Sequence, residues 1–154
     1  TEIASLKSLE LLSLSNNAIT EIDETLRSLP KLQRLNLNNN QIREVPDWLF
    51  EKPDLKALEL NNNRITKLRH LYHYSRELEI LRLAGNEILI WPRTLAKMQK
   101  LVELDMDFCP GIQLRKVRSL LYRFPKLRRL RVPKNHFGQH VLPWFNRYRR
   151  AVCI

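Results

Sequence analysis

The chain has 154 residues, 44% of them hydrophobic and 28% charged, with a formal net charge of +11, two cysteines and three glycines. That length and apolar content suit one domain with a continuous core. They exclude a disulfide-stapled miniprotein and a low-complexity tract, and no apolar run approaches the roughly 18 residues of a membrane-spanning helix.

Taken in chain order, one phrase of the form L-x-x-L-x-L-x-x-N-x-I recurs. Its first leucine stands at Leu9, Leu32, Leu55, Leu78 and Leu101, four successive steps of 23 residues, and Leu127 follows after 26. The second apolar place holds Leu12, Leu35, Leu58, Leu81, Leu104 and Leu130; the third holds Leu14, Leu37, Leu60, Leu83, Met106 and Val132. Alternation of period two predicts a short strand in each copy, one face buried and the other in solvent. Next stand Asn17, Asn40, Asn63, Asn86, Cys109 and Asn135. An amide carries two donors and an acceptor, so it can satisfy backbone groups buried where the chain turns inward. Cys109 reads as a small buried thiol at the same place.

Behind each strand a second apolar phrase runs at helical spacing, as in Ile19, Ile22, Leu26, Leu29, Pro30 and again in Ile42, Val45, Pro46, Leu49, Pro53. It predicts a short helical or 3₁₀ segment stopped by proline. Trp91 aligns with Val45 and Ile22 and reads as core filling. Lys52 and Ser75 take the place of Leu29, which weakens the expected packing there, with Phe50 as the compensating residue. Ile3 and Leu6 align with Leu26 and Leu29, so the chain opens inside such a segment. More chain or a partner is therefore expected over the N-terminal edge.

These features resemble the leucine-rich repeat superfamily of intracellular type, over residues 9–137. The resemblance implies an α/β solenoid with a parallel inner sheet and short convex helices or 3₁₀ turns. It would be a single domain over 1–154, its six strand copies starting near 9, 32, 55, 78, 101 and 127, with 138–154 as a C-terminal cap. The resemblance also implies a non-enzymatic protein–protein interaction scaffold, the recognition part of a larger chain.

Charge is unevenly placed. Residues 1–107 hold 15 Lys/Arg against 16 Asp/Glu, whereas 108–154 hold 12 Lys/Arg and no acid. The basic set includes Arg115, Arg118, Arg123, Arg147, Arg149 and Arg150, which we take as anion-binding candidates. An acidic protein, nucleic acid or an anionic membrane surface would each be attracted. Interleaved Trp144, Arg147, Tyr148 and Arg150 would suit single-stranded nucleic acid or a membrane interface, although Val141, Leu142, Trp144, Phe145 and Tyr148 read first as capping residues.

On the inner face the fifth places of the phrase run Ser13, Asn36, Glu59, Arg82, Asp105 and Arg131, and Glu103 faces Arg129 at the third place. Neighbouring strands lie about 4.8 Å apart, so these charges can pair across strands or read a partner. Protein-contact candidates are Asn36, Asn38, Asn61, Asn62, Arg82, Asp107, Phe108 and Lys134. Phe108 either stands out as an aromatic anchor or folds back over the irregular loop Cys109, Pro110, Gly111, Ile112.

Catalytic signals are weak. His136 and His140, and His70 and His73, read as surface histidines with no third metal ligand, and no cofactor motif is present. Without cysteine clusters flanking the array, a reducing, cytoplasmic setting is expected.

Overall fold

The computed structural model describes residues 2–68, 76–92, 95, 97–111 and 124–133, together with the backbone of 151–153. Each leucine phrase forms a three-residue strand: β1 Leu11–Ser13, β2 Arg34–Asn36, β3 Ala57–Glu59, β4 Ile80–Arg82, β5 Glu103–Asp105 and β6 Arg129–Arg131. The strands are parallel and stack in sequence order. A seventh, β7 Ala151–Cys153, pairs with β6 and extends the sheet beyond the six copies that the phrase marks. It lacks the L-x-L-x-x-N signature, so the repeat pattern alone does not reveal it.

The register is in phase with the repeat. Leu12, Leu35, Leu58, Leu81, Leu104 and Leu130 stand opposite one another along the sheet, and Ser13, Asn36, Glu59, Arg82, Asp105 and Arg131 form the parallel row beside them. A one-residue slip would put the leucines in water, and burying each is worth about 1.5 to 3 kcal/mol. From the second copy onward these leucines are buried, whereas Leu9, Leu12 and Leu14 of the first copy only partly enter the core.

Among the described residues the convex side carries 3₁₀ turns at Ile3–Ser5 and Glu24–Ser28 and a helical turn, α1 Asp47–Glu51. The Asp23 carboxylate starts the second 3₁₀ turn by accepting the Thr25 N–H at 2.7 Å. Trp91 packs against the core at the place that Ile22 and Val45 hold in earlier copies, with its indole N–H buried and unpaired among the described residues. Lys52 is buried, yet it is not a packing defect. Its ammonium donates to the carbonyls of Leu29 at 2.7 Å and Arg27 at 3.3 Å, at the end of the preceding 3₁₀ turn, while Phe50 fills the core next to it. Desolvation lowers the Lys52 pKa. The stem thus replaces a leucine and the head replaces missing backbone partners.

Candidate functional site: the strand face and its rim

The inner face begins with the turn that ends each strand. Asn40, Asn63 and Asn86 are buried there and do the same work three times. Asn63 accepts the Ile42 N–H at 3.0 Å and donates to the carbonyls of Leu37 at 2.9 Å and Leu60 at 3.1 Å. Asn40 and Asn86 repeat that pattern one copy before and one after. In the fifth copy Cys109 takes over with one bond, its thiol donating to the Leu83 carbonyl at 3.2 Å. Burial pushes that thiol up to about 11, so at neutral pH it is a protonated donor rather than a nucleophile.

Just ahead of this spine, at the eighth place of the phrase, the backbone is left-handed in every described copy: Asn16, Asn39, Asn62, Gly85 and Phe108 have φ between 53° and 66°. Asparagine and glycine tolerate that conformation and phenylalanine does not. The asparagines also join hands. Asn39 donates its side-chain amide to Asn16 at 2.8 Å, and Asn62 donates to Asn39 at 2.7 Å. Phe108 breaks the pattern, the residue being 76% exposed.

The charged rows pair within the sheet. Arg82 bridges two carboxylates, donating to Glu59 and to Glu103 at 2.8 Å each. Arg129 takes the other oxygen of Glu103 at 2.7 Å, and Arg131 lies 3.3 Å from Asp105. Alignment by place anticipates Glu59 with Arg82, Glu103 with Arg129 and Asp105 with Arg131; the diagonal from Arg82 to Glu103 is additional. Burial alone would raise the Glu103 pKa, but the hydrogen bonds and charges of Arg82 and Arg129 outweigh it and hold the carboxyl below its ordinary value. From β3 to β6 the face is therefore a preset network, in which Glu59, Arg82, Glu103, Asp105, Arg129 and Arg131 are already committed to one another.

The candidate contact asparagines are partly committed as well. Asn36 accepts the Asn38 N–H at 3.0 Å; Asn38 accepts the Asn61 N–H at 2.8 Å and donates to Glu59 at 3.3 Å; Asn61 accepts the Ala84 N–H at 2.9 Å. Each carbonyl oxygen thus serves the scaffold. Among the described residues, the amide nitrogens of Asn36 and Asn61 make no bond that would prevent a contact. Asp107 turns one oxygen back to the Phe108 N–H at 2.9 Å. Sequence reasoning overlooked the amide row at the eighth place, although the run Asn16, Asn39, Asn62, Gly85 consists of residue types suited to a left-handed turn.

Lys134 and the anion-binding candidates Arg115, Arg118, Arg123, Arg147, Arg149 and Arg150 lie outside the described residues, as do both histidine pairs. Lys126 and Arg128, at the near edge of the basic region, are exposed. Among the described residues no group of three or more His, Cys, Asp or Glu could hold a metal ion, and no helix is long and apolar enough to cross a membrane.

A comparison with curated proteins by sequence gave no match. By structure the chain is similar to a leucine-rich repeat protein of Leptospira interrogans, with a TM-score of 0.72 and 26% identity over 85% of this chain and 34% of that one. It is similar to a chain of the LRIM1/APL1C complex, with a TM-score of 0.67 and 26% identity over 84% of this chain and 25% of that one. It also shares its fold with a chain of the Drosophila melanogaster SNF/U2A′ complex, at a TM-score of 0.63 and 24% identity over 92% of this chain and 82% of that one. The chain thus spans about a third or less of the first two. A family model described as Leucine Rich repeats (2 copies) matches residues 7–51, and one described as Leucine rich repeat matches residues 30–88. With the strand register, the asparagine spine and these matches in agreement, the chain belongs to the leucine-rich repeat superfamily.

Proposed function

We propose that this chain is a non-enzymatic scaffold that binds a protein partner across its strand face and the rim at the strands' C-terminal ends, with Phe108 as the anchor. Leucine-rich repeat proteins generally mediate protein–protein interaction, and one similar structure is itself a complex. The observation that carries the reading is Phe108. A non-glycine residue in the left-handed region costs roughly 1 to 2 kcal/mol, and a largely exposed aromatic side chain gains nothing from the core to offset it. Strain retained at an exposed aromatic supports a contact role, because such residues anchor interfaces. The surrounding ion network favours specificity: a partner must match charges held in place by their neighbours.

The similar chains of which this one covers 34% and 25% support a further part of the reading, that it is the recognition portion of a longer protein. Cys109, committed to the Leu83 carbonyl inside the core, suits a reducing cytoplasmic setting.

The test is affinity capture from lysate with wild type and Phe108→Asn in parallel. Proteins held at physiological salt by the wild type and lost from the variant support the reading. A second reading, binding of nucleic acid or an anionic surface, rests on the 12 Lys/Arg and no acid of residues 108–154. It predicts binding to random RNA that falls steeply with salt and does not change in Phe108→Asn.

A further inference from the structure

The charges of the strand face are paired, but a second charged surface of the molecule is not. A cleft of about 770 Å³ opens on the flank where copies one to three leave the strand turn for the convex side. Its apolar floor comes from Ile22, Val45 and Pro46, the first two buried in the core. Around that floor stand two carboxylates, Glu21 and Asp47, and two guanidiniums, Arg43 and Arg64, all on exposed residues. None of these four side chains makes a hydrogen bond or ion pair with the described residues. The register keeps them apart. The Gln41 N–H bonds the Ile19 carbonyl and the Arg64 N–H bonds the Ile42 carbonyl, at 2.9 Å each, so the rungs of this flank follow the repeat. At equal places Arg43 then stands between Thr20 and Thr66, and Glu21 stands beside Glu44, a like charge that turns instead to Lys67 at 3.9 Å.

Balanced but separated charge decides what such a cleft can hold. Glu21 belongs to the first rung and Arg64 to the third, two strand spacings or about 10 Å apart along the stack. Arg43 and Asp47 stand on the rung between them. A simple anion would meet the carboxylates, a simple cation would meet the guanidiniums, and an apolar ligand would strip water from all four. The ammonium and carboxylate of a single amino acid lie too close together to serve both ends. Extended peptide advances about 3.3 to 3.6 Å per residue, so three residues cover the distance. We propose that the cleft binds a three-residue segment of a protein partner, with a basic side chain on Glu21 and an acidic one on Arg64. The middle residue then lies over Val45 and Pro46, and the guanidinium can take the partner's carboxylate through two parallel N–H bonds. The inference rests on the reading of the chain as a protein-binding scaffold, but it uses copies one to three, away from Phe108 in copy five.

The probes are blocked tripeptides titrated into the full chain at low salt, followed by the backbone amide signals of Glu21, Arg43 and Arg64. Lys-Gly-Glu should give saturable shifts at all three positions, with a Kd on the order of millimolar. Lys-Gly-Gln and Gln-Gly-Glu should each bind about two- to fivefold more weakly, the share of one exposed ion pair. Two variants assign the ends. In Arg64→Gln, Lys-Gly-Glu and Lys-Gly-Gln should bind alike while Gln-Gly-Glu stays weaker; in Glu21→Gln, Lys-Gly-Glu and Gln-Gly-Glu should bind alike while Lys-Gly-Gln stays weaker. Equal affinity for the three peptides, a charge dependence that neither variant removes, or no shift at these positions at any concentration reached would overturn the proposal. Phe108→Asn should leave the titration unchanged. If that variant keeps every captured partner while the peptides bind as described, the anchor role of Phe108 falls and the cleft stands; if it loses a partner while the cleft stays silent, only the cleft site falls.

Discussion

Copies two to four and copy five share the strand and the left-handed eighth place, with different chemistry. In the earlier copies Asn40, Asn63 and Asn86 tie the turn to two successive layers through a buried amide. In the fifth, Cys109 offers one thiol, and Gly111 stands where Ile42, Ile65 and Ile88 stand. Its N–H reaches the Ile88 carbonyl at 2.9 Å, so close to the Leu89 backbone that a Cβ would collide with it. Phe108 nevertheless keeps the left-handed φ of Asn39, Asn62 and Gly85. The path through the fifth turn is therefore imposed by the rungs stacked against it, Leu83 N–H to the Asp105 carbonyl and Gly85 N–H to that of Asp107. The residue's own preference is overridden.

The comparison predicts unequal costs. Asn63→Ala strands the Ile42 N–H and takes one of two amide donors from each of the carbonyls of Leu37 and Leu60, which keep Asn40 and Asn86. At roughly 1 to 3 kcal/mol for the stranded group, plus the two weakened carbonyls and the lost volume, it should lose about 2 to 4 kcal/mol. Cys109→Ala removes one weak donor and a small volume, so about 1 to 2 kcal/mol is expected. Urea midpoints at an unchanged denaturant slope read both. Equal losses would mean that the two turns are held alike, and the contrast would fail.

The strand face gives the next effect. Glu103 is buried and answers both Arg82 and Arg129, so Glu103→Gln should cost about 1 to 3 kcal/mol, less than a fully buried pair because Arg129 is half in water. Its folded pKa lies below the ordinary 4.5, so its contribution is complete above that value and is lost as the pH falls through the lower folded one. Wild type should therefore lose stability faster than Glu103→Gln as acid is added below pH 4.5, the two converging at the acid end. Parallel curves across that range would show that the network carries no net stabilisation.

Much of this frame could be read from the chain before folding. The 23-residue step and the alternation around Leu35 or Leu58 place the strands, since both are properties of composition and spacing. Same-place pairing foretells Glu59 with Arg82 because parallel strands in register bring equal places together. The diagonal from Arg82 to Glu103 escapes that reasoning, since it depends on the length and direction of the arginine side chain. Lys52 escapes for another reason: only the folded carbonyls of Arg27 and Leu29 make a buried ammonium tolerable. The site candidates fared in between. Asn36, Asn38 and Asn61 stand on the inner face, but pattern alone could not tell that backbone N–H groups already occupy their oxygens.

The smallest expected effect bears most directly on what copy five is for. If the left-handed turn is forced on Phe108 by its neighbours, Phe108→Asn keeps the path and removes the strain, and the domain should gain about 1 kcal/mol. A rise in thermal midpoint with unchanged secondary structure would record it. Together with loss of partner capture, that gain would identify a residue kept at a cost in stability for the sake of contact, as expected where function competes with folding. A loss of stability would reverse the argument. It would mean that the exposed ring packs against chain after all, and that the fifth turn differs from the others for reasons of folding.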